Sequence, residues 1–146
     1  MLSSDYIVGL TDGEGSFSVF LHSPRGKRAR ETQYYRVECH FYIKMREDEL
    51  PLLQKVKNFF GCGFLYLQKD KRQNHRNCYR FEISSYQAIK EVVIPFFKKN
   101  PLQSENRRKD FALFCKIFGI VQSKNGKHLT REELEKIKEL KSQMHK

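Results

Sequence analysis

Apolar and polar residues alternate most regularly between positions 34 and 45, and this alternation predicts a β-strand with two unlike faces. One face would carry Tyr35, Val37, Cys39, Phe41 and Ile43, and the other Arg36, Glu38, His40, Tyr42 and Lys44. Shorter apolar-rich segments at 14–22, 63–68 and 78–84 predict three further strands. Each strand would turn one face to a core and the other to water.

Helical spacing of apolar residues separates and follows these strands. The first helix is predicted at 4–13 with Ser4 as its N-cap. The second would be capped by Asp48, would tolerate Pro51 in its first turn and would end at Gly61.

Three more helices are predicted after the last strand. Ser85 opens the first of them, and Pro95 ends or bends it. Ser104 begins the next, and Thr130 with Glu133 forms a capping box at the start of the last.

The order of elements, αββαββααα, predicts the fold class. Two strand hairpins imply a four-stranded antiparallel sheet with helices on one face and a wet, charged face opposite. We therefore expect an α+β fold with an αββαββ-type core and C-terminal helices, in one domain that covers residues 1–146.

The charge balance limits the class of partner. The 28 Lys and Arg residues outnumber the 17 Asp and Glu residues, which gives a net charge of +11 and favours a polyanion. Charge alone does not separate DNA from RNA or from an anionic membrane.

No apolar run approaches the ~20 residues that span a bilayer, and the N-terminus does not resemble a signal peptide. We expect an intracellular protein, in a bacterial cytoplasm or an organelle, that is neither secreted nor membrane-bound.

A glycine-faced helix is the most informative local feature. Gly9 and Gly13 are four residues apart and so share one helical face, where a second backbone can approach closely. Glu14 follows directly after Gly13, where this face ends. One acid in this position suggests a pair of acids, one from each of two copies at a two-fold axis. The alternative is that Glu14 is a solvated residue at a helix end.

The segment from Ile7 to Gly15 resembles the signature of the LAGLIDADG homing endonucleases, in the form that carries a single motif and works as a homodimer. The match is at Gly9, Leu10, Asp12 and Gly15, whereas Glu14 replaces the second Asp of the signature. The resemblance continues in order through Phe59-Phe60-Gly61-Cys62-Gly63, Ile94-Pro95-Phe96-Phe97, Pro101-Leu102, Asp110-Phe111 and His128-Leu129-Thr130.

The resemblance implies roles for the motif residues. Glu14 would bind Mg²⁺, or another divalent cation such as Mn²⁺, together with the backbone carbonyl of Gly13. Asp12 would be mainly structural. The predicted dimer interface consists of Ile7, Gly9, Leu10, Asp12 and Gly13.

Two arginines stand near positions where the family places other catalytic groups. The family has a lysine between its Pro-Leu and Asp-Phe elements, where this chain offers Arg107. Arg46 replaces a glutamine at the end of the second strand. Either arginine can stabilise negative charge but cannot act as a base. The alternatives are a phosphate-anchoring or solvated Arg107, and a salt bridge from Arg46 to Glu47 or Asp48.

The wet face of the sheet is the predicted DNA-binding surface, because an antiparallel sheet can lie along the major groove. The outward strand residues that would face bases are Ser16, Ser18, His22, Arg36, Glu38, His40, Tyr42, Lys44, Arg80 and Glu82. Near the hairpin ends, Gln68, Gln73 and Asn74 can reach adenines, and arginines can reach guanines. Phosphate contacts are expected from Arg25, Lys27, Arg28, Arg30, Lys69, Lys71, Arg72 and Arg76. Any one of these side chains can instead be solvated and make no contact with DNA.

These observations favour a site-specific homing endonuclease that cuts both strands of a long palindromic or near-palindromic DNA target as a homodimer. The resemblance implies cuts across the minor groove that leave short 3′ overhangs. The alternative is a LAGLIDADG-type maturase that binds intron RNA, or a DNA-binding protein that does not cleave.

Overall fold

The first helix joins directly to the first strand. The computed structural model describes residues 1–23 and 35–146. Helix α1 spans Ser4–Glu14 and strand β1 spans Gly15–His22, so Glu14 ends the helix and does not begin the strand. The N-cap is Ser3, whose hydroxyl accepts a hydrogen bond of 3.1 Å from the N–H of Tyr6. The prediction of Ser4 as the cap was therefore wrong by one residue.

Four antiparallel strands form one sheet in the order β1-β2-β4-β3, which confirms the predicted α+β class. Strand β2 spans Arg36–Arg46, β3 spans Phe64–Gln68 and β4 spans Cys78–Ile83. The pairing of β2 with β4 joins the two hairpins. As a result β1 and β3 are the two edge strands.

Helix α2 spans Leu50–Phe60 and follows a short 3-10 turn at Glu47–Glu49. Pro51 stands in its first turn, and Gly61 ends it with a φ of 72°, as predicted. Asp48 does not cap it, because its carboxylate binds the guanidinium groups of Arg46 and Arg76 instead.

Pro95 does not end the third helix, α3, which covers residues 86–99. The helix runs from Tyr86–Ala88 through a π-helical segment, Ile89–Val93, into Ile94–Lys99. Proline clashes with the carbonyl four residues earlier, and the wider π turn lies at that place. The predicted cap is confirmed, since the Ser85 hydroxyl accepts from the N–H of Ala88.

Helices α4 and α5 span Glu105–Ser123 and Arg131–Ser142. Ser104 caps α4, and Thr130 with Glu133 forms the predicted capping box of α5. None of the helices that the structure describes is long and apolar enough to cross a bilayer.

The core lies between the inner face of the sheet and the helices. Phe17 and Phe41 from the sheet pack against Phe97 of α3 and Phe114 of α4, with ring centroids 5.3 or 5.4 Å apart. Packing on this inner face leaves the opposite face of the sheet to water.

Candidate active site

The glycine face of α1 is open. A Cβ atom added to Gly9 or Gly13 would meet no atom within 4 Å, so neither glycine is required by packing within the chain. Gly15 differs, because its Cβ would lie 2.6 Å from the Thr11 side chain. Gly15 thus allows the tight passage from α1 to β1, whereas Gly9 and Gly13 leave a bare surface.

One residue of the predicted interface points into the core of its own subunit. Ile7 has no exposed surface and belongs to the hydrophobic core. A side chain that is fully enclosed within its own subunit has no area to offer a partner, so Ile7 does not belong to the interface surface. Leu10 is half-buried and remains available beside the glycines.

A groove of about 490 Å³ runs beside the open face. Its walls come from α1, from the last residue of α3 and from the segment that joins α3 to α4: Asp5, Val8, Gly9, Asp12, Lys99, Asn100, Pro101 and Gln103. The groove extends the surface at which a second helix can approach α1.

Glu14 is an exposed acid at the junction of α1 and β1. No hydrogen bond or ion pair engages its carboxylate among residues 1–23 and 35–146. Within those same ranges, no three or more His, Cys, Asp or Glu side chains cluster as metal ligands. At the junction of α1 and β1, the described part of the chain therefore offers the unpaired Glu14 carboxylate, with the exposed backbone of Gly13 beside it.

Asp12 holds α1 to the start of α4. Its carboxylate accepts hydrogen bonds from the backbone N–H groups of Gln103, at 3.0 and 3.2 Å, and Ser104, at 3.1 Å. These donors lie at a helix N-terminus, where a negative charge is favourable. Asp12 and Glu14 are two residues apart and have different environments, one bound within the chain and one open to solvent.

The two candidate arginines also differ. Arg107, in the first turn of α4, donates from Nε to the carbonyl of Thr11 at 3.4 Å. It is half-buried beside the last turn of α1, the turn that ends at Glu14. Arg46 instead forms a two-pronged salt bridge with Asp48, at 3.2 and 2.7 Å, which is one of the alternatives that the sequence left open.

A network of charged side chains occupies the middle of the outward sheet face. The ring nitrogens of His40 lie 2.9 Å from Glu82 and 3.0 Å from Glu38. Arg80 contacts Glu82 at 3.2 Å, and Arg36 contacts Glu38 at 3.0 Å. Each arginine thus pairs with an acid on its own strand, and His40 links the two pairs by joining Glu38 of β2 to Glu82 of β4.

The network lowers the pKa of one of its acids. Burial raises the pKa of Glu38, but hydrogen bonds from His40 and His22 and the charge of Arg36 outweigh that effect. The pKa of Glu38 is therefore below its ordinary value, and the carboxylate stays ionised at neutral pH.

Tyr42 sits against the same network. The guanidinium carbon of Arg80 lies 3.4 Å from the centre of its ring, a close cation–π contact. Burial raises the pKa of Tyr42, but hydrogen bonds with Ser16 and Ser18 and the nearby charge of Arg80 give a net lowering. Ser16, Ser18, Tyr42 and Arg80 are thus on the predicted face and bound to one another.

The hairpin loops are only partly described. Arg25, Lys27, Arg28 and Arg30 lie outside the described residues. The loop at 69–77 contains the other predicted residues, Lys69, Lys71, Arg72, Asn74 and Arg76. Arg72 binds Asp70, and Arg76 binds Asp48. The two arginines would have to leave these partners in order to contact phosphates.

Three aromatic residues of the outward face were not predicted as site residues. Phe20, Phe64 and Tyr66 are exposed by 38%, 62% and 45%. Their strand positions place them on the same side as Glu38, Glu82 and Arg80. For Phe20 the signal in the sequence was its outward place in the alternation of β1, whereas β3 has apolar residues on both faces and gave no such signal for Phe64 and Tyr66.

Known proteins resemble most of this chain. The family model described as "LAGLIDADG endonuclease" matches residues 7–118. The chain is 31% identical over 140 residues to "Probable intron-encoded endonuclease 2" of Neurospora crassa, covering 94% of this chain and 28% of that one. It is 31% identical to "Homing endonuclease I-ApeII" of Aeropyrum pernix, covering 80% of this chain and 62% of that one. The chain therefore spans less than two thirds of either relative.

Solved structures share the fold over nearly the whole chain. "Crystal structure of a homing endonuclease, I-TnaI" matches with a TM-score of 0.78 and 32% identity, over 99% of this chain and 89% of that one. The I-SmaMI LAGLIDADG homing endonuclease "bound to cleaved DNA" matches with a TM-score of 0.82 and 28% identity, over 100% of this chain and 45% of that one.

Proposed function

Because the chain belongs to the LAGLIDADG endonuclease family, we propose that residues 1–146 form a single domain of a site-specific homing endonuclease. In this proposal a homodimer hydrolyses both strands of a long palindromic or near-palindromic DNA target with a divalent metal. The observation that carries the proposal is the open glycine face of α1, which ends at the exposed acid Glu14.

The arrangement of α1 supports the proposed dimer. Gly9 and Gly13 leave room for a second backbone, and the groove beside Gly9 extends that surface. Two copies of α1 that cross here would bring both Glu14 residues close to a two-fold axis. Two-fold symmetry of the protein predicts a symmetric target.

The donor set at Glu14 fits a hard divalent cation. Mg²⁺ and Mn²⁺ prefer oxygen ligands, and Mg²⁺ needs only one or two carboxylates because it retains waters and binds phosphate oxygens. Glu14 and the Gly13 carbonyl would hold the ion, which activates water and neutralises charge at phosphorus when bound. A solved neighbour is described as "I-SmaMI bound to uncleaved DNA target in the presence of Calcium ions".

Arg107 is the better of the two arginines for a role at the scissile phosphate. It lies beside the last turn of α1, and it stays protonated, so it can stabilise the charge that develops there. Arg46 is held by Asp48, and it would contribute only if DNA drew it away from that carboxylate.

The basic charge and the outward sheet face support DNA as the substrate. A net charge of +11 favours binding to phosphates, and the sheet presents polar side chains that can distinguish base edges. The paired network on β2 and β4 would exchange some of its internal contacts for contacts to bases.

Selection of cleaved sites from a random DNA library with Mg²⁺ tests the proposal. Recovery of symmetric cleaved sites by the wild-type chain, and of none by Glu14→Gln, is the expected result. Glu132→Gln is the control, since it removes an exposed acid from α5, outside the motif. Binding to structured intron RNA with no DNA cleavage would contradict the proposal and favour the maturase.

A further inference from the structure

Phe64 and Tyr66 form an exposed aromatic pair on the outward face of β3. Their ring centroids are 6.2 Å apart, and the side chains are 62% and 45% exposed. The residue between them, Leu65, packs against the core on the opposite face. The two rings are therefore not needed to fill the interior.

The residues beside the pair on the neighbouring strand are charged. In the strand register Phe64 is opposite Glu82 and Tyr66 is opposite Arg80. Those two residues bind one another at 3.2 Å, and Glu82 also binds His40. Neighbouring large apolar side chains that remain open to water beside charged residues indicate contact with something apolar.

The position at the sheet edge disfavours the dimer contact as the explanation. The sheet order is β1-β2-β4-β3, and α1 continues directly into β1. The aromatic pair therefore lies at the opposite edge of the sheet from the strand that carries the glycine-faced helix. A partner that crosses α1 would not be expected to cover it.

We propose that Phe64 and Tyr66 recognise the 5-methyl groups of thymines in the DNA target. This inference rests on the proposed function, because it requires the outward sheet face to enter the major groove. The C5-methyl of thymine is the apolar group that base pairs present there, and aromatic side chains contact it. The paired charges beside the rings supply polar contacts, whereas the rings select for the methyl.

Replacement of thymine by deoxyuridine in the recovered target tests this directly, since deoxyuridine lacks the methyl group but pairs in the same way. Equilibrium binding would be measured for wild type, Phe64→Ala and Tyr66→Ala with Ca²⁺. The wild type should lose roughly fourfold in affinity for each contacted methyl. Each variant should bind the thymine target more weakly and lose part of the difference between the two DNAs.

Leu67→Ala is the matched control. Leu67 is on the same strand and is 44% exposed, but it lies on the opposite face from Phe64 and Tyr66. The Leu67→Ala variant should keep the full preference for the thymine target over the deoxyuridine target. Equal wild-type binding to both DNAs would overturn the methyl-recognition inference and leave the endonuclease proposal standing.

Three further outcomes would also count against the methyl-recognition inference. Unchanged thymine preference in both ring variants, or a change in oligomeric state caused by them, would assign the pair to another contact. No wild-type binding to any DNA would overturn the proposed function together with this inference.

Discussion

The carboxylate of Asp12 accepts a hydrogen bond of 3.1 Å from the backbone N–H of Ser104, the N-cap residue of α4. This contact joins the motif helix to a helix that begins far along the chain. It also gives the two motif acids different environments. Asp12 is bound to backbone N–H groups within the chain, whereas Glu14 is exposed.

Asp12→Ala should destabilise the protein by about 1–2 kcal/mol, because it leaves helix N-terminal N–H groups without their acceptor. Urea unfolding followed by circular dichroism would measure the loss. Glu47→Ala is the control and should change stability by less than about 0.5 kcal/mol, as expected for an exposed surface residue. Equal stability of Asp12→Ala and wild type would refute the structural role.

Gly9→Leu should separate the dimer, because the added side chain would occupy the space in which two α1 backbones approach each other. Sedimentation equilibrium would report a monomer with an unchanged circular dichroism spectrum. Gly119→Leu is the matched control, since Gly119 is also an exposed helical glycine with no atom near its Cβ position. A dimeric Gly9→Leu, or a monomeric wild type on DNA, would defeat the proposed interface.

Arg107→Ala should lower the cleavage rate by roughly 10²-fold while weakening DNA binding much less, if the guanidinium stabilises charge at the scissile phosphate. Single-turnover cleavage and binding would be measured separately. Lys109→Ala removes an exposed charge from the same turn and should leave the rate nearly unchanged. If both substitutions weaken DNA binding equally and neither lowers the cleavage rate, Arg107 anchors a phosphate and does not stabilise charge at the scissile one.

Glu133 should give the stability a pH dependence at low pH. Hydrogen bonds from the Lys124 side chain and the Thr130 backbone lower its pKa from 4.5 to about 2. Because the folded-state pKa is below the unfolded one, this stabilisation is present above the unfolded pKa and is lost as the pH falls from about 4.5 toward 2.

Comparison of wild type with Glu133→Gln between pH 7 and pH 2 would measure this contribution by urea unfolding. The difference in unfolding free energy should shrink as the pH falls through that window. Glu132→Gln removes a charge from the same turn of α5 and serves as the control. A difference that stays constant with pH would show that the ion pair does not contribute.

Local sequence signals predicted most of the architecture. The hydroxyl caps at Ser85, Ser104 and Thr130 were predicted correctly, because a cap and its N–H partner lie within three residues of each other. Asp48 was not, because a carboxylate can equally bind nearby arginines, and Arg46 and Arg76 bind it here.

Contacts between side chains from distant segments could not be predicted from a single sequence. Alternation identified the outward face, but not that His40 on β2 would bind Glu82 on β4. The register between strands decides such pairs, and it is fixed by the whole fold. In the same way, the aromatic pair at Phe64 and Tyr66 was hidden in a strand whose apolar residues occupy both faces.

The most direct test of the paired acids is cleavage of a plasmid by a mixed dimer that carries one wild-type chain and one Glu14→Gln chain. The plasmid would carry the selected symmetric target, and two different affinity tags would isolate the mixed dimer. If each Glu14 serves one strand, the mixed dimer nicks the plasmid, the wild type linearises it and the double variant leaves it intact. Linear product formed by the mixed dimer at the wild-type rate, or by the double variant, would contradict the account.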